Sequence, residues 1–184
     1  LEEIEFPGVG RLEAFYTDGL RTLLHTVKDV EDMWEKTLRY PGHAKRIELL
    51  KALGFLDEEP IDVDGVSLPP RRLSARLLGQ KLLMPEVKDI VAMKVEVSGV
   101  RSGRHVSYAY HLLDQYDEKK GITAMARTTA YTASIIAQLV LRKVIREKGV
   151  VPPERIGMSE EFFSTFLKEL RKRGIKITES KAYV

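Results

Sequence analysis

The run Thr37-Leu38-Arg39-Tyr40-Pro41-Gly42-His43 holds the residues best suited to chemistry. An arginine at the end of a strand, next to a turn, can clamp a carboxylate through two parallel hydrogen bonds. The same position also suits a salt bridge to a neighbouring acid. His43 follows Pro-Gly where a strand gives way to a helix, and a helix start offers free N–H groups. It reads as a ligand-facing imidazole or as a helix N-cap. In Tyr16-Thr17-Asp18-Gly19-Leu20-Arg21, Asp18 suits an N-cap, and Arg21 suits either an anion or a pair with Asp18. Arg127-Thr128-Thr129 stands near the start of a long apolar helix. Hydroxyls there line a pocket or bond back to the helix carbonyls.

Other chemistries fail on residue type or spacing. The 184 residues contain no cysteine, which removes disulfides, thiolate metal sites and cysteine nucleophiles. His25, His43, His105 and His111 lack zinc-binding spacing. Gly8-Val9-Gly10 begins like a dinucleotide fingerprint, but Glu13 stands where the third glycine belongs and a strand follows. A hairpin turn is the better reading, so no nucleotide site is expected in this chain, and no metal site either. The net charge is only +3, although the stretch from Arg142 to Val184 has 11 basic and 6 acidic residues. That is a weak argument for nucleic acid. The longest uncharged apolar run, Thr128 to Leu141, has 14 residues, too few for a bilayer. The expected setting is cytoplasmic, without membrane.

These residues need elements to position them. Ile4–Phe6 and Leu12–Tyr16 read as a hairpin around Pro7-Gly8-Val9-Gly10. A short helix over 19–26, capped by Asp18, a strand over 36–40 and a helix over 44–53 ending at Gly54 follow. Residues 57–70 read as a loop and 71–83 as a helix. The clearest signal is two-residue alternation from Val91 to Val97 and from Val106 to Leu112 around a loop at 99–103. Residues 122–148 read as a long helix buried on both sides. An extended connector at 150–153 leads to a helix capped by Ser159, with Phe162, Phe163, Phe166, Leu167 and Leu170 inward, and Ile175–Ile177 as a last strand. Together they predict one α+β domain over 1–184, a mixed and largely antiparallel sheet with helices packed on it.

Phe15-Tyr16-Thr17-Asp18-Gly19-Leu20-Arg21-Thr22-Leu23, the run from Thr37 to His43, and Gly149-Val150-Val151-Pro152-Pro153-Glu154-Arg155-Ile156-Gly157-Met158 share a further property. In order and spacing, with Ala124–Ala133, they resemble the C-terminal, non-Rossmann part of the saccharopine dehydrogenase-like family. Within it the chain is most similar to lysine 6-dehydrogenase and its relatives. The resemblance implies a substrate-binding and dimerisation domain that works beside an N-terminal Rossmann domain binding NAD or NADP. It implies hydride chemistry at a carbon bearing an amine, on lysine or a lysine derivative such as saccharopine. No Rossmann domain is visible here, so the chain reads as part of a longer enzyme that binds no cofactor alone.

On this reading Arg39 takes the substrate carboxylate. His43 contacts substrate or accepts a proton, which a neutral imidazole suits. Tyr16, Arg127, Thr128 and Thr129 wall the pocket. The expected partners are an amino-acid substrate and a second copy of the chain. A non-enzymatic amino-acid-binding or dimerisation module is the alternative, and a basic adaptor using the 142–184 tail a third reading.

Overall fold

Alternating side chains build the first hairpin, β1 (Glu2–Phe6) and β2 (Gly10–Tyr16). Its turn needs Gly8 and Gly10, both at positive φ, where a Cβ is unfavourable. A third strand, β3 (Lys36–Arg39), pairs antiparallel with the far side of β2, giving the order β1-β2-β3. Phe6, Leu12 and Ala14 are buried on one face of this sheet. The computed structural model describes residues 1–84 and 86–183, so Val184, the end of the basic tail, lies outside the described residues.

Gly42, at φ 86°, turns the chain from β3 into α2 (His43–Ala52). The end of α2 is a Schellman motif: Phe55 N–H donates to the Leu50 carbonyl at 3.0 Å and Gly54 N–H to Lys51, also at 3.0 Å. The expected loop over 57–70 contains a small hairpin, β4 (Ile61–Val63) and β5 (Val66–Leu68). Asp64 and Gly65 both take positive φ at its tip, the geometry of a two-residue hairpin turn. The surrounding acids and prolines hide this signal in the sequence. Pro70 then opens α3 (Pro70–Leu82).

The expected hairpin at Val91–Leu112 is longer than its alternation suggests. β6 (Ile90–Arg101) and β7 (Arg104–Gln115) run 12 residues each. The tip is Ser102-Gly103, both at positive φ, rather than a five-residue loop. β8 (Ile177–Tyr183) extends well past the expected Ile177 and pairs with β7, giving the order β6-β7-β8. Every pairing among the described strands is antiparallel.

Two helices differ from expectation. Arg21 sits at φ 49°, which no α-helix continues through, so the expected helix over 19–26 shrinks to α1 (Leu23–Thr26), with Thr22 rather than Asp18 at its cap position. α4 (Ala124–Leu141) stops before the expected 148. Lys143 occupies the left-handed position at φ 60°, and Val144 N–H returns to the Leu139 carbonyl at 3.0 Å. Nor is α4 buried all round: Ala124, Arg127, Ile135 and Leu139 are buried, while Met125, Val140 and Leu141 are exposed.

A short α5 (Pro153–Gly157) follows the connector and precedes α6 (Glu160–Lys172). Ser159 caps α6 as expected, accepting from Phe162 N–H at 3.3 Å. Of its apolar face Phe162 and Leu170 are buried, whereas Phe163 is exposed. Leu112, Ile135, Leu139, Ile145, Phe162, Leu170 and Ile175 form one core cluster.

The chain divides into two compact units. The first comprises Leu1–Gly19 and Trp34–Val87, with β1–β5, α2 and α3. The second comprises Leu20–Met33 and Lys88–Val184, with the β6-β7-β8 sheet and α1, α4, α5 and α6.

Candidate functional site

The site begins with a buried carboxylate that the sequence alone does not flag. Glu13 is only 5% exposed. Its two oxygens accept from Gly42 N–H at 2.6 Å and Ala44 N–H at 3.0 Å. Glu13 therefore satisfies orphan donors at the start of α2, where a negative charge is also favoured by the helix dipole. These bonds, the one from Gly42 foremost, hold its carboxyl below the usual carboxylate range, with His43 and Lys45 adding attraction. Gly42, not His43, occupies the N-cap, so the imidazole is the first helical side chain and is exposed.

β2 and β3 determine what His43 faces. Opposed residues in an antiparallel pair share a face, and neighbours alternate. Glu13 opposes Arg39 and Phe15 opposes Thr37, so all four lie on one face. The His43 ring lies parallel to Phe15 on this face, with centroids 6.5 Å apart and planes 3° apart. Arg39 is exposed, and its guanidinium donates to the Leu38 carbonyl at 2.8 Å. Arg39 and His43, both predicted from sequence, thus share one face, with Phe15 as an apolar floor.

The same face continues into a polar cluster. The Thr17 and Thr37 hydroxyls are 2.9 Å apart, Thr17 donates to Glu35 Oε2, and Gly19 N–H donates to that oxygen at 3.1 Å. A Cβ at Gly19 would lie 2.6 Å from the Glu35 carboxyl carbon, so a larger residue here would push the Glu35 carboxylate out of its present place. Glu35 is four residues before Arg39, about 13 Å along an extended chain. The face therefore offers a cation, an imidazole, an aromatic ring and a carboxylate with hydroxyls. That set complements a flexible zwitterion with an amine at one end and a carboxylate at the other.

Tyr16 belongs elsewhere. It opposes Lys36 on the other face of the sheet. Lys36 Nζ lies 4.7 Å from the Tyr16 ring centre and 4.6 Å from that of Trp34, and pairs with Glu2 at 2.5 Å. Arg127, Thr128 and Thr129 are in the second unit. There Arg127 is buried and bonds Asp114 from Nε at 2.9 Å and Asp117 from Nη1 at 2.8 Å. The Asp114 bond, above all, pushes the guanidinium above its usual range. Thr128 donates to the Ala124 carbonyl at 2.9 Å and Thr129 to the Met125 carbonyl at 2.5 Å, returning both hydroxyls to the helix.

Glu13 makes the start of α2 acid-sensitive. Its native pKa is depressed, so its stabilisation is complete above the unfolded carboxylate value and is lost as pH falls through the native one. In Glu13→Gln, one oxygen can serve one N–H but the amide nitrogen cannot accept the other. We expect protection from amide exchange at Gly42 or Ala44 to fall at neutral pH, and the acid dependence of that protection, once the intrinsic exchange rate is divided out, to vanish. Unchanged protection at both amides would refute the assignment.

No three His, Asp or Glu side chains among the described residues converge as a metal site. The Gly8-Val9-Gly10 segment joins two strands and opens no helix, so it does not fit a dinucleotide phosphate. No described helix is long and apolar enough to cross a membrane.

Over residues 1–175 the sequence matches the family described as the saccharopine dehydrogenase C-terminal domain. The chain belongs to the saccharopine dehydrogenase family. It is also similar to mitochondrial alpha-aminoadipic semialdehyde synthase of Bos taurus, 26% identical over 137 residues, and of Rattus norvegicus, 25% identical over 134. These alignments cover 74% and 73% of this chain but 14% of each relative, so the chain matches about one-seventh of their length. The saccharopine dehydrogenase C-terminal match spans both the Arg39–His43 turn and the Arg127 network, and ends before β8.

Proposed function

We propose that this chain is the substrate-binding and dimerisation part of an NAD(P)-dependent oxidoreductase acting on the amine of lysine or a lysine derivative, after the pattern of lysine 6-dehydrogenase. The observation that carries the reading is the shared face of β2 and β3, where Arg39, Phe15, His43 and the Glu35 cluster lie in sequence along one surface. Arg39 takes the substrate carboxylate, Phe15 carries its methylene chain, and His43 accepts a proton from the substrate nitrogen. Glu35, with Thr17 and Thr37, holds an ammonium group. NAD or NADP is the cofactor of the proposed whole enzyme, as for the family; in this chain the Gly8-Val9-Gly10 turn does not fit its phosphates. A second copy of the chain is the proposed partner.

The test is nicotinamide reduction by the chain joined to its nucleotide-binding domain, with lysine and saccharopine supplied in turn. We expect reduction with one of them and none with alanine, which has no second nitrogen. No reduction with any amine, combined with lysine binding by this chain alone, would leave a non-enzymatic amino-acid-binding module instead.

A further inference from the structure

Among the described residues, the β6-β7-β8 sheet has an open edge of unusual length. β6 is the first strand in the sheet order and runs 12 residues. From Met93 to Arg101 every residue is exposed. A long exposed edge presents unpaired backbone donors and acceptors, and proteins normally blunt such edges with charged side chains, prolines, bulges or very short strands. β6 has no proline, and it pairs with β7 residue for residue over its whole length without a bulge. It carries Met93, Val95 and Val97 on one face, all exposed, and Lys94 and Glu96 on the other.

The pattern is self-complementary. If two β6 strands pair antiparallel about a two-fold axis through Val95, Lys94 opposes Glu96 of the second copy at both places where they meet. Met93 then opposes Val97, and Val95 opposes Val95. A two-fold axis perpendicular to the sheet keeps each residue on its own face, so only registers centred on a residue join the two sheets smoothly. Centring on Lys94 or on Glu96 would place like charges directly opposite, which is destabilising. Centring on Met93 or Val97 leaves both charges facing uncharged residues. Val95 is the centre that satisfies both faces.

We infer that β6 pairs with β6 of a second copy about Val95, joining the two three-stranded sheets into one of six. This rests on the homodimer proposed above and identifies the strand that makes it. Within one chain Lys94 Nζ already lies 2.9 Å from Glu96 Oε1, so the two-fold creates a four-charge alternating group.

The experiment is sedimentation of the full chain over a range of concentrations. The wild type is expected to dimerise. K94E and E96K each set like charges opposite at two places, and each should weaken dimerisation at least about tenfold. Mixing these two variants restores complementarity, because one chain then sets two acids against two bases of the other, so the mixture should form heterodimers. The double variant K94E/E96K should dimerise as the wild type does. Circular dichroism checks folding, and Val95→Lys, at an exposed position, serves as a second disruptive variant. If the wild type dimerises and the single variants and Val95→Lys do so equally, the β6 interface is wrong while the homodimer stands. If the wild type stays monomeric at every concentration, the homodimer reading fails and this interface with it.

Discussion

Replacing His43 by alanine in the whole enzyme is expected to lower kcat by about 10²-fold or more, the usual contribution of a positioned general base. His43 is exposed and is not the cap of α2, so the substitution should leave thermal stability nearly unchanged. Its position is set by others: Glu13 fixes the backbone on both sides of it, and Phe15 lies parallel to its ring. Arg39→Met should behave differently. A carboxylate clamp remote from the reacting nitrogen binds ground state and transition state alike, so its loss raises KM and spares kcat. Steady-state kinetics on the two variants separates these outcomes. Full turnover by His43→Ala would remove the imidazole from the chemistry, and an unchanged KM in Arg39→Met would remove the clamp.

Which parts of this arrangement are legible follows from the range of the interactions. Arg39 and His43 stand out because Pro41-Gly42 marks the strand-to-helix turn between them. Glu13 does not stand out, because the amides it serves are 29 and 31 residues away. Thr17, Glu35 and Thr37 gain meaning only once β2 and β3 are in register, and the same register moves Tyr16 to the opposite face. Long elements are legible from periodicity: the β6–β7 hairpin, α2 with Gly54, and α6 with Ser159. Failures cluster where ordinary residues take conformations that glycine usually marks. Lys143 ends α4 and Arg21 breaks the helix before α1, both at positive φ. No local pattern gives notice of either, because what holds them is tertiary. Val144, beyond the end of α4, packs on the core. Thr22 and Thr26 donate to Glu154 on α5 at 3.2 and 2.5 Å, tying α1 to a segment more than a hundred residues away.

The second large effect concerns Arg127, the arginine expected from sequence in the pocket wall. Its side chain is 8% exposed, and that of Asp114 10%. Asp117 is more accessible and has other donors, the Lys119 and Lys120 N–H groups at 3.1 Å each. Removing the guanidinium therefore strands Asp114 in particular. Breaking one side of a buried pair costs about 3 kcal/mol or more, because the remaining charge is left without compensation. Arg127→Met should lower Tm by about 10 °C in a chain of this size. Adding Asp114→Leu removes the stranded charge, and an apolar pair of similar volume in place of a buried ion pair is often neutral, so the double variant should recover much of the loss. Thermal unfolding of the single and double variants tests this, and KM of the whole enzyme tests the competing role. A Tm that holds in Arg127→Met while KM for the amino acid rises would return Arg127 to the substrate. A Tm that falls and then recovers in the double variant would make it the strut that fastens α4 to the end of β7 and the turn beyond it.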